Sequence, residues 1–233
     1  LSIQVIDSNS ITATGPIQEV WNSISGTSIN NLYNDPDWPN APDQIEVLND
    51  FEAINGLGDN YGARIQAYLS PPTTGQYTFY FASDDQGSLR LSSNSDPSNA
   101  TEIASVSGWT QYQEWNKYSQ QTSAPITLVA GERYYIDGRF KEGTGGDHLS
   151  VAWTGPDFSS ITVIANQYLE AYDSNNAPAF NQASYLFNYN TIGFYWSANE
   201  KEKGKWQLNK YYQFGLDWAL ENDKTVRGHP LLW

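Results

Sequence analysis

The stretch from Tyr77 to Leu91 constrains this chain most. Tyr77, Phe79 and Phe81 fall on one side of an extended backbone, and Thr78, Tyr80 and Ala82 on the other. The alternation breaks at Ser83-Asp84-Asp85-Gln86-Gly87 and resumes with Leu89 and Leu91 against Ser88 and Arg90. A period of two cannot cover one face of a helix, so this stretch predicts two strands with an acidic pair between them. The same cadence recurs along the chain. Ile65, Ala67 and Leu69 alternate with Arg64, Gln66 and Tyr68. Tyr134, Ile136 and Gly138 alternate with Tyr135, Asp137 and Arg139, and Leu149, Val151 and Trp153 with Ser150 and Ala152. Turn signals separate these runs, among them Gly56-Leu57-Gly58, Pro71-Pro72, Thr74-Gly75 and Ala130-Gly131-Glu132. About nine short strands of this kind predict an all-β fold, a two-sheet antiparallel sandwich. No helix longer than a turn or two is predicted before residue 170.

Residues Leu1 to Gly15 read as an edge strand or lead-in. Trp21 to Pro42 reads as a long irregular loop pinned by Trp21, Leu32 and Trp38. The pattern changes after Tyr172, which places the sandwich at residues 1–172. Asp173-Ser174-Asn175-Asn176-Ala177-Pro178 opens a linker over 173–184. From 185 to 233 the signals differ again. Phe187 to Trp196 is a strand-like apolar run. Leu208, Tyr211, Phe214, Gly215 and Trp218 share a helical face, and Thr225 to Gly228 reads as another strand. That is a strand–helix–strand unit, the opening of an α/β fold.

Asp84 and Asp85 raise a geometric question. Neighbours on a strand point to opposite faces, so one site receives both only if the backbone leaves the extended form there. Two carboxylates about 4 Å apart repel by roughly 1–4 kcal/mol. A hard cation such as Ca²⁺, which takes six to eight oxygens, offsets that repulsion directly. An ordinary solvated acidic turn is the other reading of the pair, since Asp and Gly are common turn residues.

Charge and composition narrow the partners. The formal net charge is −14, which argues against nucleic acid and anionic membrane surfaces. No run of 18 apolar residues suggests a membrane span. Cysteine and methionine are both absent, so no disulfide framework, thiol nucleophile or oxidation-sensitive side chain is present. This fits a secreted, extracellular protein, and a monomer is expected.

Several segments, in order, resemble the protective-antigen (PA-fourteen) domain, a β-sandwich of toxins, adhesins and glycosidases. They are Asp59-Asn60-Tyr61-Gly62, Pro71 to Phe79, Ala82-Ser83-Asp84-Asp85, Leu128 to Tyr135, and Lys141 to Asp147 before Val151-Ala152-Trp153. The resemblance spans roughly Pro16 to Tyr172. It implies that Asp84 and Asp85, joined by a cis peptide, hold Ca²⁺. It also implies that a second loop, Gly143 to His148, completes the coordination through backbone carbonyls such as that of Gly145 and through Asp147. Sugar hydroxyls close the oxygen shell in the family's lectin-like members. Carbohydrate contact is therefore expected at Asp84, Asp85, Gln86, Asp147 and His148. Trp109, Tyr112, Trp115 and Tyr118 are available for stacking on a sugar but read first as core or inter-strand aromatics.

The tail resembles a second family, the family-10 glycoside hydrolases, xylanase-like enzymes built as a (β/α)₈ barrel. The similarity rests on Phe187-Asn188, on Trp196 with Glu200 and Gly204, and on Arg227-Gly228-His229-Pro230-Leu231-Leu232-Trp233. That family's sugar-gripping set aligns with Ile192, Gly193 and Tyr195, which depart from it. Its catalytic glutamates have no counterpart by residue 233, so this chain alone is not expected to be an enzyme. Together the two resemblances imply a non-catalytic, calcium-dependent carbohydrate-binding module that targets an attached polysaccharide-degrading enzyme. A β-glycan hydrolase missing its catalytic residues and a calcium-stabilised adhesion domain are the alternatives.

Overall fold

The structure, a computed structural model, describes residues 15–172 and, farther on, the backbone of four short strands. The chain divides into two compact units, Leu1–Tyr172 and Asp173–Trp233.

The first unit is a sandwich of two antiparallel sheets, as the alternating runs predict. Its strands are β1 (Ile17–Trp21), β2 (Gln44–Val47), β3 (Tyr61–Leu69), β4 (Gly75–Asp84), β5 (Gly87–Leu91), β6 (Thr101–Val106), β7 (Ile126–Leu128), β8 (Tyr134–Glu142), β9 (His148–Gly155), β10 (Phe158–Val163) and β11 (Leu169–Ala171). The larger sheet runs β2-β1-β3-β8-β5-β6, with β11 also paired to β3, and the smaller runs β10-β9-β4-β7. The helix α1 (Ile29–Tyr33) is a single short turn inside the irregular segment after β1. Trp21, Ile24 and Leu32 bury themselves there, with Trp38 edge-on to Trp21 at 4.7 Å between ring centroids. That small aromatic cluster orders a segment whose Asn, Asp and Pro content favours neither helix nor strand.

Alternation decides which residues meet between the sheets. Ala63, Ile65, Ala67 and Leu69 of β3 stand opposite Phe140, Gly138, Ile136 and Tyr134 of β8. Tyr77, Phe79 and Phe81 of β4 and Leu149, Val151 and Trp153 of β9 close the core from the other sheet. Trp153 is its hub, ringed by Tyr77, Phe158 and Tyr168 at 5.0 to 5.5 Å.

The stretch Tyr77–Leu91 departs from a simple hairpin. β4 and β5 belong to different sheets. Asp84-Asp85-Gln86 is therefore a crossover at one end of the sandwich, where the backbone leaves the extended form.

In the second unit β12 (Tyr189–Phe194) pairs in parallel with β15 (Thr225–Pro230), and β13 (Glu200–Glu202) pairs antiparallel with β14 (Lys205–Trp206). The lead-in over residues 1–14, the linker over 173–184 and the helix expected over 208–218 lie outside the described residues.

A candidate cation and ligand site

The crossover is held by both sheets. Asp84, the last residue of β4, stands opposite His148 of β9. The Asp85 N–H donates to the Lys141 carbonyl at 3.0 Å, and the Lys141 N–H donates to the Gln86 carbonyl at 2.9 Å. The Ser83 hydroxyl donates to the Asp85 carbonyl at 2.8 Å. The Asp84–Asp85 peptide is cis, as the family resemblance implies. Gly87 leaves this corner where no side chain fits: a Cβ there would lie 2.6 Å from Ser83 Oγ and 2.7 Å from the Arg139 carbonyl.

Both aspartates converge on a third carboxylate, Glu142. One oxygen from each of Asp84, Asp85 and Glu142 falls within 4.8 Å of the others. Glu142 lies opposite Tyr61 in the β3–β8 register, on the core side of its strand. It is 0% exposed, and neither carboxylate oxygen has a hydrogen-bond partner. Burial, then the charges of Asp85 and Asp84, push its pKa up to about 7. Burial and Asp85 likewise raise Asp84 to about 6, while Lys117 opposes the rise. Lys141 is buried alongside, pushed down to about 8 by burial against the pull of Glu142 and Asp85. Its ammonium donates to the backbone carbonyl of Glu142. A buried carboxylate without donors facing two further carboxylates fits an oxygen-seeking cation, because an unpaired buried charge is otherwise costly.

The glycine-rich loop after β8 closes over this cluster. The Gly143 N–H donates to Asp85 Oδ2 at 3.0 Å. A Cβ on Gly146 would lie 3.7 Å from Asp84 Oδ2, so the loop backbone runs close beside the aspartates. Gly145 has φ +120°, a conformation that needs glycine, and its N–H donates to Asp59 at 3.3 Å.

Asp147, expected as a ligand, lies close enough for its charge to help raise Asp84 and Glu142. It does not join the three converging carboxylates. Its oxygens accept from the Gly56 N–H at 2.7 Å, the Leu57 N–H at 3.1 Å and the Tyr61 hydroxyl at 2.7 Å. It therefore ties the 56–61 turn to the glycine loop, and the Asn60 N–H bonded to the Gly143 carbonyl at 2.7 Å completes the clamp.

Gln86 and His148 are likewise occupied. The Gln86 amide accepts from the Ile29 N–H at 3.1 Å and donates to the Ser107 carbonyl at 2.9 Å. His148 is 6% exposed, with Nε2 3.2 Å from Thr110 Oγ1, and burial lowers its pKa. Both brace loops, Gln86 from a partly exposed position and His148 from a buried one. Trp109 and Tyr112, expected in the core, are 48% and 56% exposed instead. Sequence reading missed Glu142. The signal was present: carrying the β8 alternation on through Phe140 places residue 142 on the core face.

An all-β sandwich with an acidic crossover closed by a glycine loop defines a β-sandwich module with a candidate cation site. A family model described as the PA14 domain matches residues 30–167, and this chain belongs to that family. Among curated proteins it is similar to N-acetyl-beta-glucosaminyl-glycoprotein 4-beta-N-acetylgalactosaminyltransferase 1 of Mus musculus, 37% identical over 106 residues, 43% of this chain and 10% of that protein. It is also similar to fibrocystin of Mus musculus, 28% identical over 129 residues, 49% of this chain and 3% of that protein. The chain thus spans a tenth or less of these curated relatives. Two solved structures share the fold. One is the PA14 sugar-binding domain from an RTX adhesin, with TM-score 0.52, 11% identity, and 69% of this chain and 99% of that chain covered. The other is the epithelial adhesin 9 A domain from Candida glabrata in complex with Galb1-4GlcNAc, with TM-score 0.51, 14% identity, and 70% and 91% covered.

Proposed function

We propose that this chain is a calcium-dependent carbohydrate-binding module, secreted, monomeric and without catalytic activity of its own. The observation that carries the reading is the buried, unpartnered Glu142 carboxylate facing Asp84 and Asp85. Ca²⁺ would be held by these three carboxylates and by carbonyls of the glycine loop, that of Gly145 among them. It would supply the open coordination positions that a sugar diol fills with two neutral oxygens. Asp147, Gln86 and His148 serve this site by fixing the loops around it. Family membership and the sugar-binding neighbours support the ligand class. The net charge of −14 supports a ligand other than nucleic acid or an anionic membrane surface.

The module belongs, in this reading, to a larger polysaccharide-degrading protein whose family-10-like barrel begins in the second unit. The parallel pairing of β12 with β15 supports this, because parallel neighbours require a crossover of a dozen or more residues. Calcium would hold the ligand, and chemistry would come from residues beyond this chain.

The test is thermal unfolding of the chain with calcium, with a chelator, and as Asp85→Ala. A calcium-dependent rise that vanishes in the variant, followed by calcium-dependent glycan binding, supports the reading. No shift under any condition leaves the cluster an acidic turn. A shift without glycan binding makes calcium structural and the domain an adhesion or scaffold element.

A further inference from the structure

Asn55-Gly56 is the one Asn-Gly dipeptide in the chain. It lies in the irregular segment between β2 and β3, where both residues are exposed. The Asn55 side chain makes no hydrogen bond among the described residues. Gly56 has φ +75°, and a Cβ built on it would meet no atom within 4 Å. Such a dipeptide carries its own reaction. With no Cβ in the way, the Gly56 nitrogen can close on Cγ of the Asn55 side chain. That nitrogen loses its proton and forms the ring bond to Cγ. The bond from Cγ to the side-chain nitrogen breaks, and the side-chain nitrogen leaves with a proton as ammonia. Water then opens the succinimide at either carbonyl, giving aspartate or isoaspartate.

The fold opposes the first step. The Gly56 N–H donates to Asp147 Oδ1 at 2.7 Å, and the Leu57 N–H donates to Oδ2 of the same carboxylate at 3.1 Å. Attack on Cγ needs the Gly56 nitrogen as an anion. Here that anion would arise a hydrogen bond's length from a carboxylate, and the bond would be lost as it formed. A like charge nearby and a hydrogen bond to the neutral form both disfavour ionisation, so the amide keeps its proton. The carboxylate is itself fixed, because the Tyr61 hydroxyl donates to Oδ2 at 2.7 Å. The Asn60 N–H, bonded to the Gly143 carbonyl at 2.7 Å, ties the same turn to the glycine loop. Ring closure also requires the backbone at residues 55 and 56 to rotate into an attack geometry, and this clamp resists that rotation.

We propose that Asn55 is a site of spontaneous deamidation, and that the Asp147 carboxylate shields it in the folded chain. Asp147 then has two tasks: it ties the 56–61 turn to the glycine loop, and it keeps the amide beside Gly56 intact. Conversion at Asn55 undoes the shield. Aspartate at this position adds a negative charge next to Asp147. Isoaspartate adds a methylene to the backbone and carries the Gly56 N–H away from its acceptor. The proposal stands independently of the carbohydrate-binding reading above.

The experiment incubates the full chain and its Asp147→Asn, Tyr61→Phe and Asn55→Gln variants in mildly alkaline buffer, and the native chain also in guanidinium chloride. Peptide mass spectrometry follows the conversion of residue 55 from amide to acid, and an isoaspartyl methyltransferase assay follows isoaspartate. Circular dichroism verifies that each variant stays folded during the incubation; the comparison of folded with unfolded native chain needs no variant. The expected result is conversion on the order of tenfold slower in the folded native chain than in denaturant, since each pKa unit added to the Gly56 amide cuts its anion tenfold. Asp147→Asn, which keeps the shape and removes the charge, should recover most of that factor. Tyr61→Phe, which keeps both backbone bonds, should recover little of it, and Asn55→Gln should yield no isoaspartate at this position. Conversion as fast in the folded native chain as in denaturant overturns the shield, as does a folded Asp147→Asn chain that converts at the native rate. Equal acceleration in Tyr61→Phe assigns the protection to rigidity and overturns the role of the carboxylate. No conversion even in denaturant overturns the site.

Discussion

Glu142→Gln separates a charge argument from a packing argument, because the two side chains have nearly the same shape. The Glu142 carboxyl is raised from 4.5 to about 7, chiefly by burial and then by Asp85 and Asp84. A shift of that size corresponds to about 3 kcal/mol between the two protonation states. Solvent around the half-exposed aspartates screens part of it, so roughly half, about 1.5 kcal/mol, is the expected net cost of the ionised form. The sign follows from proton binding. The folded chain holds this proton more tightly than the unfolded chain, so its stabilisation is fully present below 4.5 and is lost as pH rises through about 7. Without calcium at pH 7.5, Glu142→Gln should therefore raise stability by about 1.5 kcal/mol, roughly 3–6 °C in Tm. Near pH 5, where the native carboxyl already carries its proton, the gain should largely vanish. Calcium nearly closes the gap, because the native chain gains more from it. At a hundred times Kd the native chain gains about 2.7 kcal/mol; a variant bound tenfold more weakly gains about 1.4 kcal/mol at the same concentration. Differential scanning calorimetry at pH 5 and 7.5, with chelator and with calcium, measures all four values. A variant less stable than native without calcium at pH 7.5 would refute the electrostatic cost, and one with an undiminished calcium response would refute the ligand role.

Two further substitutions probe what holds the site. Tyr61→Phe removes the 2.7 Å bond to Asp147 while leaving the backbone donors Gly56 and Leu57; it should cost about 1.5 kcal/mol and weaken calcium binding severalfold, measured by chelator competition. Unchanged calcium affinity would show that the 56–61 clamp does not organise the ligand loop. Gly87→Ala brings a Cβ within 2.6 to 2.8 Å of Ser83 Oγ, the Arg139 carbonyl and Phe81 Cε1. Urea unfolding should register a loss of about 2–3 kcal/mol, and a loss under 0.5 kcal/mol would mean that the corner relaxes freely.

Much of the sandwich is legible in the sequence because period-two alternation is local. Tyr77-Phe79-Phe81, Ile65-Ala67-Leu69 and Leu149-Val151-Trp153 each announce a strand and its core face without reference to any partner. The Asp84-Asp85 pair is equally plain as a chemical oddity at the end of such a run. What the alternation does not carry is the choice of partner. That β4 and β5 enter different sheets, turning an apparent hairpin into a crossover, depends on how both faces of each strand are covered. Side-chain bonds are similarly remote from local pattern. Asp147 reads as a ligand beside its glycines, yet its donors lie 86 to 91 residues away. Gln86 reaches Ile29 across 57 residues. Glu142 becomes the third carboxylate because the β3–β8 register carries the end of an apolar row to the crossover. Sequence by itself determined which segments are strands and where acidity concentrates. Tertiary structure decided which carboxylates meet, because a hydrogen-bond donor or a charge acts over a few ångströms of space however far apart it lies along the chain.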